Sequence, residues 1–194
     1  MGDKVIEEKK QLRRELRARR IDHAAALPPA MQGLVFNRPP AAIVDLLPIG
    51  ATIGLYHSIP GEAPTSRYAS WFFENGYSIA LPYFADAMAP MEFRLWDNPH
   101  IEDYLESGPF GEQPLADAEQ VTPQVLMVPL VGFTEDGDRM GQGAGHYDRW
   151  LENHPDTIAI GMAWDVQKVD QLPTEPHDRP LRAIITPTRL YGPF

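Results

Sequence analysis

Gly141, Gly143 and Gly145 alternate inside the stretch 137–151, between an apolar run and a segment with helical character. The run, Val125-Leu126-Met127-Val128-Pro129-Leu130-Val131, has the length and composition of a buried strand. His146 to Leu151 can open a helix. A strand, a glycine-rich turn and a helix N-terminus make an anion site: bare backbone approaches the ligand and unpaired N–H groups point at it. Arg139 and Asp148 flank the turn, one suited to phosphate and the other to a hard cation. The chemistry implied is a phosphate-bearing ligand with magnesium. Neither familiar phosphate loop fits. No Gly-Lys-Ser/Thr triplet follows the glycines, and the dinucleotide fingerprint would need a glycine where His146 stands. A plain strand-to-helix turn would use the same glycines for backbone geometry alone.

The remaining chemistry is bounded by composition. With no cysteine, disulfides, thiolate zinc sites and cysteine nucleophiles are excluded. The first residues are charged and no apolar run could span a bilayer, so the expectation is a cytoplasmic protein without a membrane partner. A net charge of −10 argues against general nucleic-acid binding. The charge is uneven, however: residues 1–20 carry eight basic and four acidic side chains, leaving nine and 23 for the rest. The chain reads as an acidic body with a basic N-terminal helix over residues 1–22. On that helix Lys9, Arg13 and Arg17 share a face by i, i+4 spacing. They form either a solvated basic face or a cationic arm laid over a polyanionic ligand. The apolar stripe, Val5, Leu12 and Leu16, is thin, so docking must order the helix more than propensity does.

The length predicts one domain, 1–194, with a core of its own. Residues 24–40, rich in proline, read as a connector, and Ala41 to Leu47 as a short helix. Strands are predicted at Thr52 to Tyr56, Tyr77 to Tyr83, Met91 to Trp96, Thr157 to Ala163 and Ala183 to Thr186, besides the 125–131 run. A helix is predicted from Pro64 to Asn75, stopped by Gly76. Residues 97–123, acidic and broken by prolines, read mostly as loop. Strands alternating with helices, several uniformly apolar, indicate an α/β fold. The expected form is three layers, α/β/α, around a mainly parallel or mixed sheet. Ligands of such sheets sit beyond the carboxyl ends of the strands, where the glycine loop falls.

With the loop placed, the chain resembles the 5-formyltetrahydrofolate cyclo-ligase family. The resemblance runs from Lys9-Lys10-Gln11-Leu12-Arg13 through Tyr56-His57-Ser58-Ile59-Pro60-Gly61-Glu62, Leu81-Pro82-Tyr83 and Met91-Glu92-Phe93 to Trp96. Its most specific part is Val128 to Phe133 leading into Arg139-Met140-Gly141-Gln142-Gly143-Ala144-Gly145-His146-Tyr147-Asp148. Gln167, Leu172-Pro173 and Glu175-Pro176-His177-Asp178 follow, then Ile185-Thr186. The resemblance implies ATP- and Mg2+-dependent closure of 5-formyltetrahydrofolate to 5,10-methenyltetrahydrofolate, with ADP and phosphate released. Both nucleophiles of that reaction belong to the substrate, so the protein has to position reactants and stabilise charge.

Carried over by resemblance, the ATP contacts fall on Lys9, Arg13 and Arg139 through Tyr147. Arg139, Tyr147 and Asp148 take catalytic roles, and Asp148 and Asp178 match metal-linked acids. The folate side maps onto His57, Glu62, Tyr83, Trp96 and the loop residues Gln142 to His146. Glu62 fits the donor edge of a pterin, and Tyr83 and Trp96 would wall its flat ring. His146 stands where the family more often has tyrosine, and Gln142 and Ala144 also depart from the common pattern. The resemblance implies no protein partner. Two other readings share these features: a relative with a different substrate, and a non-catalytic binder of formylfolate or nucleotide.

Overall fold

The computed structural model describes residues 2–32, 34–173, 179 and 181–194, with backbone alone at 2–6, 29, 32 and 102. Helix α1 (Gly2–Ala26) outruns the 22 residues expected. Ala24-Ala25-Ala26 extend it with strong helix formers, and Pro28 lies just beyond its end. The connector holds two single-turn helices, α2 (Pro29–Gln32) and α3 (Ala41–Val44). Helix α4 (Ser66–Glu74) stops where Gly76 adopts φ 81°, and α5 spans His146–Asn153. No described helix is long and apolar enough to cross a membrane.

In chain order the strands are β1 (Thr52–Gly54), β2 (Ser78–Tyr83), β3 (Glu92–Leu95), β4 (Leu105–Gly108), β5 (Gly111–Pro114) and β6 (Gln120–Val121). They continue with β7 (Val125–Pro129), β8 (Gly132–Phe133), β9 (Arg139–Met140), β10 (Ile158–Met162), β11 (Ala183–Ile185) and β12 (Leu190–Tyr191). Eight of them form one sheet in the order β12-β11-β10-β7-β1-β2-β3-β6. The centre from β11 to β2 is parallel. The flanks β12, β3 and β6 pair antiparallel, so the sheet is mixed.

Strand β7 explains the layering. Val125, Leu126, Met127 and Val128 are all fully buried, as a strand covered on both faces requires. Val125 and Met127 pack in one core with Ile53, Ile160, Ile43, Tyr68 and Phe72, the last three from α3 and α4. Leu126 and Val128 pack in the other with Ala159, Ile184 and the α5 residues Trp150 and Leu151. Successive side chains thus bind opposite helical layers, which gives the α/β/α stack. Gly54 of β1 lies where this packing is closest: an added methyl would run into Leu126 Cδ2 and press on Phe93. Gly54→Ala is therefore expected to cost about 1–3 kcal/mol as an overpacking change. A thermal unfolding curve unchanged from the parent would contradict that packing.

Two expectations need refining. Residues 97–123 are not loop alone: about half of the segment is irregular, and β4 and β5 form a separate hairpin within it. Its strands are polar in sequence, so they carry no apolar alternation to read. One side chain fastens it: Gln113 Nε2 donates to the Phe84 carbonyl and its Oε1 accepts from the Phe84 N–H, both at 3.2 Å. Nor does the glycine loop follow the core strand directly. The hairpin β8–β9 intervenes, turning through Asp136-Gly137, where Gly137 takes φ 94°. Asp-Gly at such a turn is a hairpin signal in its own right.

Candidate active site

A cleft of about 500 Å³ opens beyond the carboxyl ends of the central strands. Tyr56 and His57 follow β1, Pro82 and Phe84 end β2, and Pro129 ends β7; all five line it. Across the opening lies α1, presenting Lys9 and Arg13 to the cleft. Leu16 anchors the helix, fully buried against Gly132, where an added Cβ would meet it. Arginines then fasten α1 to the glycine loop. Arg13 Nε donates to the Gly141 carbonyl at 3.1 Å, and Arg17 Nη2 donates to the Gln142 carbonyl and to its Oε1 at 3.3 and 3.0 Å.

The loop itself turns through glycines in the left-handed region, Gly143 at φ 108° and Gly145 at φ 70°, a conformation that a side chain would strain. Gly145 is the N-cap of α5 and no side chain caps that end. The first amides of α5 are thus donors with a helix dipole behind them. Arg139 emerges from β9 almost wholly buried. Its Nε donates to the Arg179 carbonyl at 3.2 Å and its Nη2 pairs with Asp148 in the first turn of α5. The remaining nitrogen, Nη1, lies over Gly141.

Glu62 is the buried acid of the cleft. Its Oε2 accepts from the Ile59 N–H at 3.2 Å, and its Oε1 accepts from Gln142 Nε2 at 2.9 Å. Arg20 Nη1 stands 3.5 Å from that same oxygen. Burial raises the Glu62 carboxyl above its ordinary range, while Arg20, the Ile59 amide and Gln142 pull it back. Burial also pushes the Tyr56 and Tyr147 hydroxyls up, Glu62 adding to both, so each stays protonated.

His146 sits in an aromatic group, its ring centroid 4.9 Å from Phe84 and 5.2 Å from Phe110, which are 4.7 Å apart. Burial, then the nearby Arg149, lower the His146 imidazole, so it is neutral at neutral pH.

Lys9, Arg13, His57, Glu62 and the whole run from Arg139 to Asp148 therefore share one cleft. Tyr83 and Trp96 do not line it. Pro82 faces the cleft, so Tyr83, the next residue of the strand, points away and carries the Arg94 guanidinium 3.8 Å over its ring. Trp96 packs on the α3–α4 core. The apolar wall comes instead from Phe84, Met91 and Phe110, the last at the tip of the β4–β5 hairpin. The turn Gly108-Pro109-Phe110-Gly111 was the available signal for that tip. Asp178, matched to a metal-linked acid, lies outside the described residues. Among the described residues no three acids, histidines or cysteines gather as a metal cage.

Residues 5–187 match the family described as the 5-formyltetrahydrofolate cyclo-ligase family. The chain is 34% identical over 146 residues to the 5-formyltetrahydrofolate cyclo-ligase of Escherichia coli K12, covering 72% of this chain and 80% of that one. The NMR structure of 5,10-methenyltetrahydrofolate synthetase from Aquifex aeolicus superposes with a TM-score of 0.72 at 23% identity, over 95% of this chain and 92% of that one. The 5,10-methenyltetrahydrofolate synthetase of Mycoplasma pneumoniae gives 0.62 at 25% identity, over 91% and 97%. Fold, sequence and the continuity of the match across both sides of the cleft agree: the chain belongs to the 5-formyltetrahydrofolate cyclo-ligase family of enzymes.

Proposed function

We propose that the protein closes 5-formyltetrahydrofolate to 5,10-methenyltetrahydrofolate at the expense of ATP, through phosphorylation of the formyl oxygen. A formamide carbonyl is a poor electrophile because its nitrogen shares charge with it. The formyl oxygen attacks the γ-phosphorus and ADP leaves, giving an iminium phosphate. The bridge nitrogen then attacks the activated carbon. Phosphate departs as that nitrogen loses its proton.

The observation that carries this reading is the opposition, within one cleft, of a buried carboxylate and a cation-backed glycine loop, bridged by Gln142. Glu62 accepts from the amino and ring N–H groups of the pterin, while Phe84, Phe110 and His146 provide a flat apolar wall. Loop amides from Gly141 to Tyr147, with Lys9 and Arg13, hold the phosphates. Arg139, preorganised by Asp148 and the Arg179 carbonyl, offsets charge that develops as the phosphoryl group moves. Tyr147 keeps its proton and serves as a neutral donor beside the loop.

Magnesium fits this donor set through the hard carboxylate oxygens of Asp148, which lines the cleft beside the glycine loop. Asp148, with Asp178, would supply its carboxylate oxygens, and the charge of such an ion would offset that of the phosphates. The test is release of ADP from ATP with and without 5-formyltetrahydrofolate. Release only with both supports the reading. Equal release without the folate overturns it.

Phe110→Ala isolates the wall. Phe110 is half exposed at a hairpin tip, so its loss leaves thermal stability nearly unchanged. Formylfolate affinity is expected to fall about tenfold, in line with one lost aromatic contact, while ATP affinity stays put. Isothermal titration with each ligand measures both, and an unchanged folate affinity would remove Phe110 from the site.

A further inference from the structure

We propose that Arg20 is a positioning residue for folate recognition: from the buried face of α1 it supplies the positive charge that keeps Glu62 a carboxylate turned into the cleft. The inference rests on the reading of Glu62 as acceptor of the pterin N–H groups. A neutral carboxylic acid would offer one donor to a donor edge, so the charge state of Glu62 decides whether the pocket fits its ligand.

Arg20 is the largest fully buried side chain among the described residues, at 1% exposure. Its Nη1 donates to the Leu130 carbonyl at 3.2 Å and faces Glu62 Oε1 at 3.5 Å. Its Nε has no hydrogen-bond partner among the described residues. An arginine kept only to hold α1 against the sheet would satisfy its nitrogens, or would be an apolar residue, which packs there at lower cost. This one leaves a donor unmet and keeps its charge beside a buried acid.

The groups around Glu62 leave that task to Arg20. From α1, Arg17 is committed to Gln142. From the end of β1, Tyr56 is neutral and gives its hydroxyl to the Ala63 carbonyl at 2.6 Å. From α5, Tyr147 is neutral as well. Gln142 and the Ile59 amide donate hydrogen bonds without charge. Burial lowers the Arg20 guanidinium, yet an arginine remains protonated in a protein interior.

The experiment is calorimetric titration of the whole protein with 5-formyltetrahydrofolate between about pH 6 and 9, in buffers of different ionisation heat. The parent protein should bind with nearly constant affinity and release essentially no proton. Arg20→Met should bind about tenfold or more weakly near neutrality, release close to one proton, and recover as the pH rises. Arg20→Lys, which keeps the charge, should restore the flat profile. A folded Arg20→Met with the parent's profile overturns the proposal. So does release of about one proton by the parent itself, a measurement that stands even if Arg20→Met does not fold. Absence of binding by the parent at every pH would instead overturn the folate reading on which the inference rests.

Discussion

Arg139→Gln is expected to lower kcat by about 10²–10³, the usual consequence of removing one preorganised charge from a transition state. Formylfolate affinity should change by no more than about threefold, because Arg139 bonds to the Arg179 carbonyl and Asp148 and to none of the side chains assigned to the folate. The guanidinium is 3% exposed and fixed at two of its nitrogens, by the Arg179 carbonyl and Asp148, while Nη1 lies over the loop. Such a cation needs little reorganisation as charge moves onto the phosphoryl oxygens. Glutamine keeps some hydrogen bonding but removes the charge and leaves Asp148 unpaired, so some loss of stability accompanies the kinetic effect. Steady-state rates with both substrates varied separate kcat from KM. A rise in KM for formylfolate at unchanged kcat would mean that Arg139 binds substrate and does not serve the transfer step.

Glu62→Gln should weaken formylfolate binding by about 10²–10³ while ATP affinity remains near that of the parent. The substitution is nearly isosteric, but it turns a donor toward the donor edge of the pterin. One hydrogen bond to a charged acceptor is lost, at about 1.5–3 kcal/mol, and a donor set against a donor adds to that loss. It also strands Arg20 as a buried cation with Leu130's carbonyl for company, so a lowered Tm should accompany the binding defect. Titration with each ligand gives the contrast directly. Equal weakening of ATP and folate would show that Glu62 holds the cleft together and does not select the pterin.

The parallel centre of the sheet was legible because strands buried on both faces must be apolar throughout, as Val125 to Val128 are. The glycine loop was legible because its backbone demands, not its packing, dictate its residues. The β4–β5 hairpin was not, since its strands are polar in sequence and one glutamine, Gln113, holds it by the backbone of Phe84. With the hairpin went Phe110. Tyr83 shows a different limit: resemblance brings the right strand to the site, but a strand alternates faces, and a shift of one residue turns an aromatic away from the cleft. Arg20 was indistinguishable from its exposed neighbours in a run of basic residues. Only the docked position of α1 separates a solvated arginine from one buried beside an acid.

The central claim is tested most directly by mixing the protein with 5-formyltetrahydrofolate, ATP and magnesium and following the near-ultraviolet band of the methenyl product. The band should grow only when all three components are present. Intact ATP binding with no growth of that band would contradict the account and assign the cleft to another substrate.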